Sequence, residues 1–122
     1  MSRIEDLNRT LSNLQASSSD IEACAIVSED GLIIASLLPQ GVEEERIAAM
    51  SAAMLSMGER ISLELKRGGV EQLYVKGREG DFLGMHAGEH AVLISLARKD
   101  AKLGLIFFDL NRAADATRQI LS

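Results

Sequence analysis

The segment that most constrains the fold of this chain is residues 42–67, VEEERIAAMSAAMLSMGERISLELKR. Three glutamates, Glu43 to Glu45, stand where the positive end of a helix dipole favours negative charge, and Lys66 and Arg67 stand at the other end. Gly68-Gly69 follows and is typical of a left-handed helix stop. Because both ends are marked in this way, the segment predicts one long central helix.

This predicted helix is apolar on two sides. One side has apolar residues at alternating spacings of three and four, which predicts a buried seam made of Ile47, Met50, Met54, Met57 and Ile61. The far side of the first turns is also small or apolar, with Ala48, Ala49, Ala52, Ala53 and Leu55. Such a helix is packed on both sides. It either lies on a sheet and also meets a second protein chain, or it is a two-sided core helix within one domain, and the pattern leaves both open.

Length and charge exclude several classes of protein. The chain has 122 residues, which suits a single domain over residues 1–122. A formal net charge of -5 argues against nucleic acid or an anionic membrane surface as the main partner, and 3% aromatic residues provide no platform for stacking bases. The N-terminus has no apolar signal core, and every uncharged run is too short to span a bilayer. We therefore expect a cytoplasmic protein.

A helix and a β-hairpin precede the central helix. Ser2 and Glu5 fit a capping box, and Ile4, Leu7, Leu11 and Leu14 then predict a helix with one apolar face. Two apolar runs, residues 21–28 and 32–37, flank an Asp30-Gly31 turn and predict a hairpin. Neither run alternates cleanly, which is typical of strands buried on both faces. Cys24, the single cysteine, lies in the first run and is predicted to be a buried core residue.

Three strands and a helix follow the central helix. Residues 70–76 predict a strand whose Glu71, Gln72 and Lys76 suit a sheet edge, where another chain can add a strand. Residues 81–87 and 90–97 predict two further strands. The tail predicts a helix starting near Ala101 with Asp100 as its cap. The order is then α-β-β-α-β-β-β-α, a three-layer α/β sandwich around an antiparallel five-stranded sheet.

The sharpest chemical motif is His86-Ala-Gly-Glu89-His90, which matches the H-x-x-E-H pattern of inverted zinc proteases. That chemistry requires both histidines on one face of a helix, whereas Gly88 interrupts this segment and strand-like runs flank it. We interpret it as a hairpin turn. The sequence also contains no dinucleotide fingerprint, phosphate loop or nucleophile elbow, so we expect no enzyme activity, no catalytic residue, no cofactor and no metal.

Several short motifs together resemble the Roadblock family of dynein-light-chain-like domains, particularly its bacterial and archaeal gliding-regulator members. They are Ser28 to Leu32 with Ala35-Ser36, Val75 to Gly77, Ala87-Gly88, and Lys102 to Leu105. The resemblance covers nearly the whole chain and implies the Roadblock or profilin-like fold, with a helical tail. It also implies a homodimer in which the central helices of two chains lie side by side and the strand at residues 70–76 pairs with its twin.

Family members of this type bind small Ras-like GTPases through the paired central helices and nearby loops. Some accelerate GTP hydrolysis without inserting an arginine, and others only scaffold. The resemblance therefore implies a homodimeric regulatory module for a Ras-like GTPase, and stimulation of GTP hydrolysis is one form that this regulation takes in the family. The alternative is a structural scaffold or adaptor dimer that is indifferent to nucleotide.

Two sets of residues are predicted to form these surfaces. The dimer interface is predicted to contain Met50, Ala52, Ala53, Met57, Val70, Gln72 and Tyr74. The GTPase-binding surface is predicted to contain Ala49, Ser56 and Arg60. We expect a charge at Ala52 or Ala53 to weaken association, and an exposed position such as Glu59 to tolerate change.

Overall fold

The computed structural model describes residues 2–122 and contains the eight predicted elements in the predicted order. They are α1 (Arg3–Ser17), β1 (Ile21–Ser28), β2 (Ile33–Leu37), α2 (Glu44–Glu64), β3 (Leu73–Lys76), β4 (Gly80–His86), β5 (Ala91–Arg98) and α3 (Leu103–Leu121). All neighbouring strands are antiparallel. The three-layer α/β sandwich is therefore confirmed. Within residues 2–122, no helix is both long and apolar enough to cross a bilayer.

The sheet has the strand order β2-β1-β5-β4-β3. Its centre is β1 paired with β5, where Cys24 lies opposite Ser95, and both strands are buried almost throughout. This confirms the prediction of burial on both faces for β1. The same prediction was wrong for β2, which is an edge strand in which Ala35 alone is fully buried. β3 is an edge strand, as predicted, but it is shorter than predicted because only Leu73 to Lys76 pair with β4. Val70 and Gln72 precede the strand.

Helices α1 and α3 cover one face of the sheet. Leu7, Leu11 and Leu14 of α1 are buried against the sheet together with Ile106 and Leu110 of α3. Ser2 caps α1 as predicted, since its Oγ accepts a hydrogen bond from the Glu5 N–H at 3.1 Å. Ile4 was expected on the buried face and is exposed instead. It precedes the first buried position by almost one turn and so lies beyond the region where α1 packs.

Cys24 lies under this layer and is fully buried, as predicted. Its S–H donates to the Leu11 carbonyl at 3.5 Å. Burial raises the pKa of the thiol to about 12, because the thiolate would lose its hydration. Cys24 is therefore a packing residue that ties β1 to α1.

Helix α2 covers the other face of the sheet, but with a different side from the one predicted. Its buried residues are Ala48, Ser51, Ala52 and Leu55. Ala48 and Leu55 pack in one cluster with residues of β1 and β5, namely Ala25, Val27, Val92 and Ile94. In the predicted seam, Met50, Met57 and Ile61 are exposed, and Ile47 and Met54 are only half-buried. The buried-seam prediction was wrong because small side chains allow the helix backbone to approach the sheet closely, which leaves the long side chains outside.

Two helix ends also differ from the prediction. The left-handed residue that ends α2 is Lys66, with φ of 58°, and not one of the two glycines that follow. The Arg67 N–H donates to the Ser62 carbonyl at 2.7 Å, which closes a Schellman-type turn. Asp100 does not cap α3. The carboxylate of Asp20 accepts from the Lys102 N–H at 3.2 Å and pairs with Arg98 at 2.7 Å.

Candidate partner-binding surface

The side of α2 that faces away from the sheet carries a stripe of apolar side chains open to solvent. We call Met50, Ala53, Met57 and Ile61 the outer stripe; the side chains of Met50, Met57 and Ile61 are 51%, 61% and 62% exposed. These residues recur at spacings of three and four and so form one continuous line. Large apolar residues grouped on a surface mark sites of protein contact. The outer stripe is therefore the strongest candidate for a protein interface on this chain.

A second surface that another chain could bind is the free edge of the sheet at β3. Val75 and Tyr74 are both more than a third exposed. The Tyr74 ring packs edge-on against Phe107 of α3, with ring centroids 6.4 Å apart, and its hydroxyl donates to Asp81 at 3.3 Å. Because the pairing of β3 is to β4 alone, its outer edge offers backbone hydrogen-bonding groups to another strand.

The predicted dimer residues fall into three environments. Met50, Ala53 and Met57 lie on the outer stripe, and Gln72 and Tyr74 are exposed at the sheet edge. Val70 is half-buried and packs, with Leu73, against the α2 side of the protomer. Ala52 is only 9% exposed and lines the cleft beside Ser56, so most of its side chain is buried within the protomer.

The predicted GTPase-binding residues are all exposed but do not form one group. Ala49 lies beside the β1–β2 turn, since a Cβ on Gly31 would come within 3.0 Å of the Ala49 Cα atom. Ser56 lines a cleft of about 360 Å³ between α2 and the end of the sheet. Arg60 lines a different groove, with Met57 and Ile61 of the outer stripe. The structure therefore places Ala49 and Ser56 beside the loops and Arg60 beside the outer stripe.

The cleft beside Ser56 contains a polar contact that sequence reasoning missed. Glu59 Oε1 lies 2.9 Å from His86 Nε2 of β4 and accepts from the Val70 N–H at 2.9 Å. The hydrogen bond from His86, with the one from Val70, holds the pKa of the Glu59 carboxyl below its usual range. Glu59 was expected to be an exposed position that tolerates change. The side chain is instead only 26% exposed, so the expected exposure was wrong. It joins α2 to β4 and to the segment that leads into β3.

The geometry of the His86, Glu89 and His90 motif is that of a strand end followed by a turn. His86 ends β4 and contacts Glu59, whereas His90 Nδ1 lies 2.8 Å from Glu29 Oε1 in the β1–β2 turn. The two imidazoles therefore contact glutamates on different elements and do not share one helical face. In the part of the chain from Ser2 onward, no group of three or more histidine, cysteine, aspartate or glutamate side chains is placed to hold a metal ion.

Comparisons with known proteins agree with this architecture. Residues 7–97 match the Roadblock/LC7 domain family. An uncharacterized protein of Methanocaldococcus jannaschii is 37% identical over 110 residues, which cover 90% of this chain and 86% of that protein.

Two solved structures are similar in fold. One is the gliding protein MglB of Thermus thermophilus, with a TM-score of 0.88 and 18% identity over 98% of this chain and 91% of that one. The other is described as MglB with a tetrameric arrangement, with a TM-score of 0.90 and 18% identity over 98% of this chain and 90% of that one. The family match covers most of the chain and the archaeal relative covers nearly all of it, so the chain belongs to the Roadblock/LC7 domain family.

Proposed function

We propose that this protein is a cytoplasmic homodimeric module that binds a small Ras-like GTPase and supplies no catalytic residue of its own. The single observation that carries the proposal is the outer stripe of α2, an apolar line exposed on the side opposite the sheet. Within one protomer nothing covers it among the described residues. A second copy of the helix would bury it without cost to the fold.

The free edge of β3 supports the same assembly. Strand pairing across this edge would join the sheets of two protomers, and α2 lies on the sheet face beside it, with Gly58 close to Val70 and Leu73. The two contacts can therefore form together in one symmetric dimer, in which the same patch of each protomer meets its twin.

The GTPase would bind at the flank of α2 next to the turns. Ala49 and Ser56 lie there with Glu29 and Asp30 of the β1–β2 turn, so the surface combines a helix flank with an adjacent loop. The Roadblock resemblance implies this use of the paired helices and nearby loops. Arg60 would lie where the dimer contact and the GTPase contact meet.

The experiment that tests the proposal is single-turnover GTP hydrolysis by the Ras-like GTPase encoded nearest this gene, with and without the purified protein, together with its mass in solution. Faster hydrolysis by a dimer is the result expected of an activating regulator. A dimer that binds the GDP and GTP forms equally would instead be a nucleotide-independent scaffold. A monomer that does not bind the GTPase would refute both.

Matched variants locate the GTPase-binding surface. Ser56→Arg places a long charged side chain on the α2 flank and should weaken GTPase binding while leaving the dimer intact. Gln119→Arg makes the same change at an exposed position of α3, on the other face of the sheet, and should have no effect. Equal loss of binding in both variants would contradict the location that we propose.

A further inference from the structure

The β4–β5 turn connects two other parts of the molecule through both histidines of the chain. His86 Nε2 lies 2.9 Å from Glu59 Oε1 of α2, and His90 Nδ1 lies 2.8 Å from Glu29 Oε1 of the β1–β2 turn. The backbone reinforces the second contact, since the Glu29 N–H donates to the His90 carbonyl at 3.0 Å. Two imidazole–carboxylate contacts therefore hold α2 and the β1–β2 turn at the same end of the sheet.

The Glu59 contact extends to a third segment. The oxygen that faces His86 also accepts from the Val70 N–H at 2.9 Å. One carboxylate oxygen thus joins the C-terminal half of α2, the end of β4 and the segment that leads into β3. A change in the charge of His86 is therefore expected to alter the contacts among all three segments.

Charged groups from α2, α3, the β1–β2 turn, the β4–β5 turn and the segment before β3 lie near the two imidazoles. The Glu89 carboxylate lies 3.8 Å from His90 Nε2. On the α3 side, Arg118 donates to the His86 carbonyl at 3.1 Å and pairs with Asp115 at 2.6 Å. The remaining charged side chains that line the clefts beside His86 are those of Asp30 and Glu71. A positive charge on either imidazole therefore meets mainly negative surroundings.

We propose that the β4–β5 turn is a pH-sensitive clasp, in which protonated His86 and His90 hold α2 and the β1–β2 turn against the sheet. Imidazole is the side chain whose ordinary titration falls between about pH 5 and 8. Its protonated form adds the attraction of opposite charges to the hydrogen bond with a carboxylate, and its neutral form bonds to the same carboxylate without that attraction. The two contacts are therefore stronger with protonated than with neutral imidazoles. This inference goes beyond the proposed function, and its test requires neither a GTPase nor a dimer.

The test is amide hydrogen exchange, with rates corrected for the intrinsic pH dependence of exchange, at about pH 5.5 and about pH 8. Protection of the Val70 amide and of the last turn of α2 should be about two- to fivefold greater at the lower pH. His86→Gln should remove this pH dependence. His90→Gln should leave it in place at Val70 and remove it only at Glu29.

A second variant keeps the proposal testable if His86→Gln does not fold. Glu59→Gln retains an acceptor for the Val70 N–H but removes the negative charge, and it should abolish the pH dependence as well. Glu89→Gln changes a 93% exposed side chain in the same turn and should retain the full dependence at Val70. Protection that is independent of pH in the original protein, or that keeps its pH dependence in Glu59→Gln, would overturn the proposal.

Discussion

A Cβ atom on Gly31 would lie 3.0 Å from the Cα atom of Ala49, so the β1–β2 turn and α2 meet through their backbones. Gly31 also has a φ of +86°, a conformation that L side chains rarely adopt. This contact limits how closely the first half of α2 can approach the β1–β2 turn. It thereby places Ala49, a predicted GTPase contact, beside the turn that carries Glu29 and Asp30.

Replacing Gly31 by alanine should therefore be costly for two separate reasons. The left-handed conformation costs an alanine about 1–2 kcal/mol, and overpacking against α2 adds about 1–3 kcal/mol to the loss in the free energy of unfolding. Gly41 is the matched control, because it has a φ of +88° with nothing within 4 Å of its ideal Cβ. Urea unfolding of Gly31→Ala and Gly41→Ala should show the larger loss in the first. Equal losses would mean that the turn moves freely away from α2.

Introducing a charge at an exposed or at a buried position of α2 should distinguish effects on self-association from effects on stability. Met57→Glu places a charge on the exposed outer stripe and should weaken self-association at least about tenfold, with little change in thermal stability. Ala52→Glu places the charge at a position that is only 9% exposed and should lower the free energy of unfolding by about 3 kcal/mol or more. Sedimentation equilibrium and thermal unfolding measure the two effects. A Met57→Glu variant that associates normally would exclude the outer stripe from the dimer interface.

The sequence could predict the elements of the fold because their signals are local. Asp30-Gly31 marks the hairpin turn between two apolar runs, and the unbroken apolar run of β1 indicates burial on both faces. The rotation of α2 could not be predicted in the same way, because both sides of the helix are apolar. The rotation of α2 depends on its packing against the sheet. The surface formed by β1 and β5 fits small residues such as Ala48, and Met57 therefore faces solvent.

Contacts between distant residues were beyond sequence reasoning for a related reason. Glu59 and His86 are 27 residues apart, and Asp20 lies 82 residues from the Lys102 N–H that it caps. Each residue taken alone fits an ordinary surface position. Only the placement of α2 over β4, and of the β1 end beside α3, brings the partners together.

The long-range cap of α3 can be tested with an isosteric pair of variants. Asp20→Asn keeps the size of the side chain but removes the charge that pairs with Arg98 and faces the N-terminus of α3. It should lower the free energy of unfolding by about 1 kcal/mol. Asp100→Asn changes the cap that the sequence suggested and should be nearly neutral, since asparagine tolerates the φ of 64° at that position. Urea unfolding compares the two, and a greater loss in Asp100→Asn would contradict the assignment.

Cys24 should be inert in the folded protein. Its pKa is raised to about 12 by burial, so the thiolate that reacts with alkylating reagents is scarce at pH 8 and is also shielded from them. Iodoacetamide should label the native protein only at the rate at which the α1 side of the sheet opens. The same protein in guanidinium chloride is the control and should label at the rate of a free thiol. Rapid labelling under native conditions would mean that α1 detaches readily.

Part of the loss in the free energy of unfolding at acidic pH should come from protonation of Glu59. Hydrogen bonds from His86 and Val70 lower its pKa in the folded state, so its contribution is complete above the unfolded value of about 4.3 and is lost as the pH falls through the lower folded value. Urea unfolding near neutral pH and near pH 3 should therefore show a smaller acid-induced loss of stability in Glu59→Gln than in the original protein. Glu64→Gln, at an exposed position of the same helix, should retain the original loss. If both variants lose stability to the same extent on acidification, the Glu59 carboxylate is not the group that holds α2 to β4.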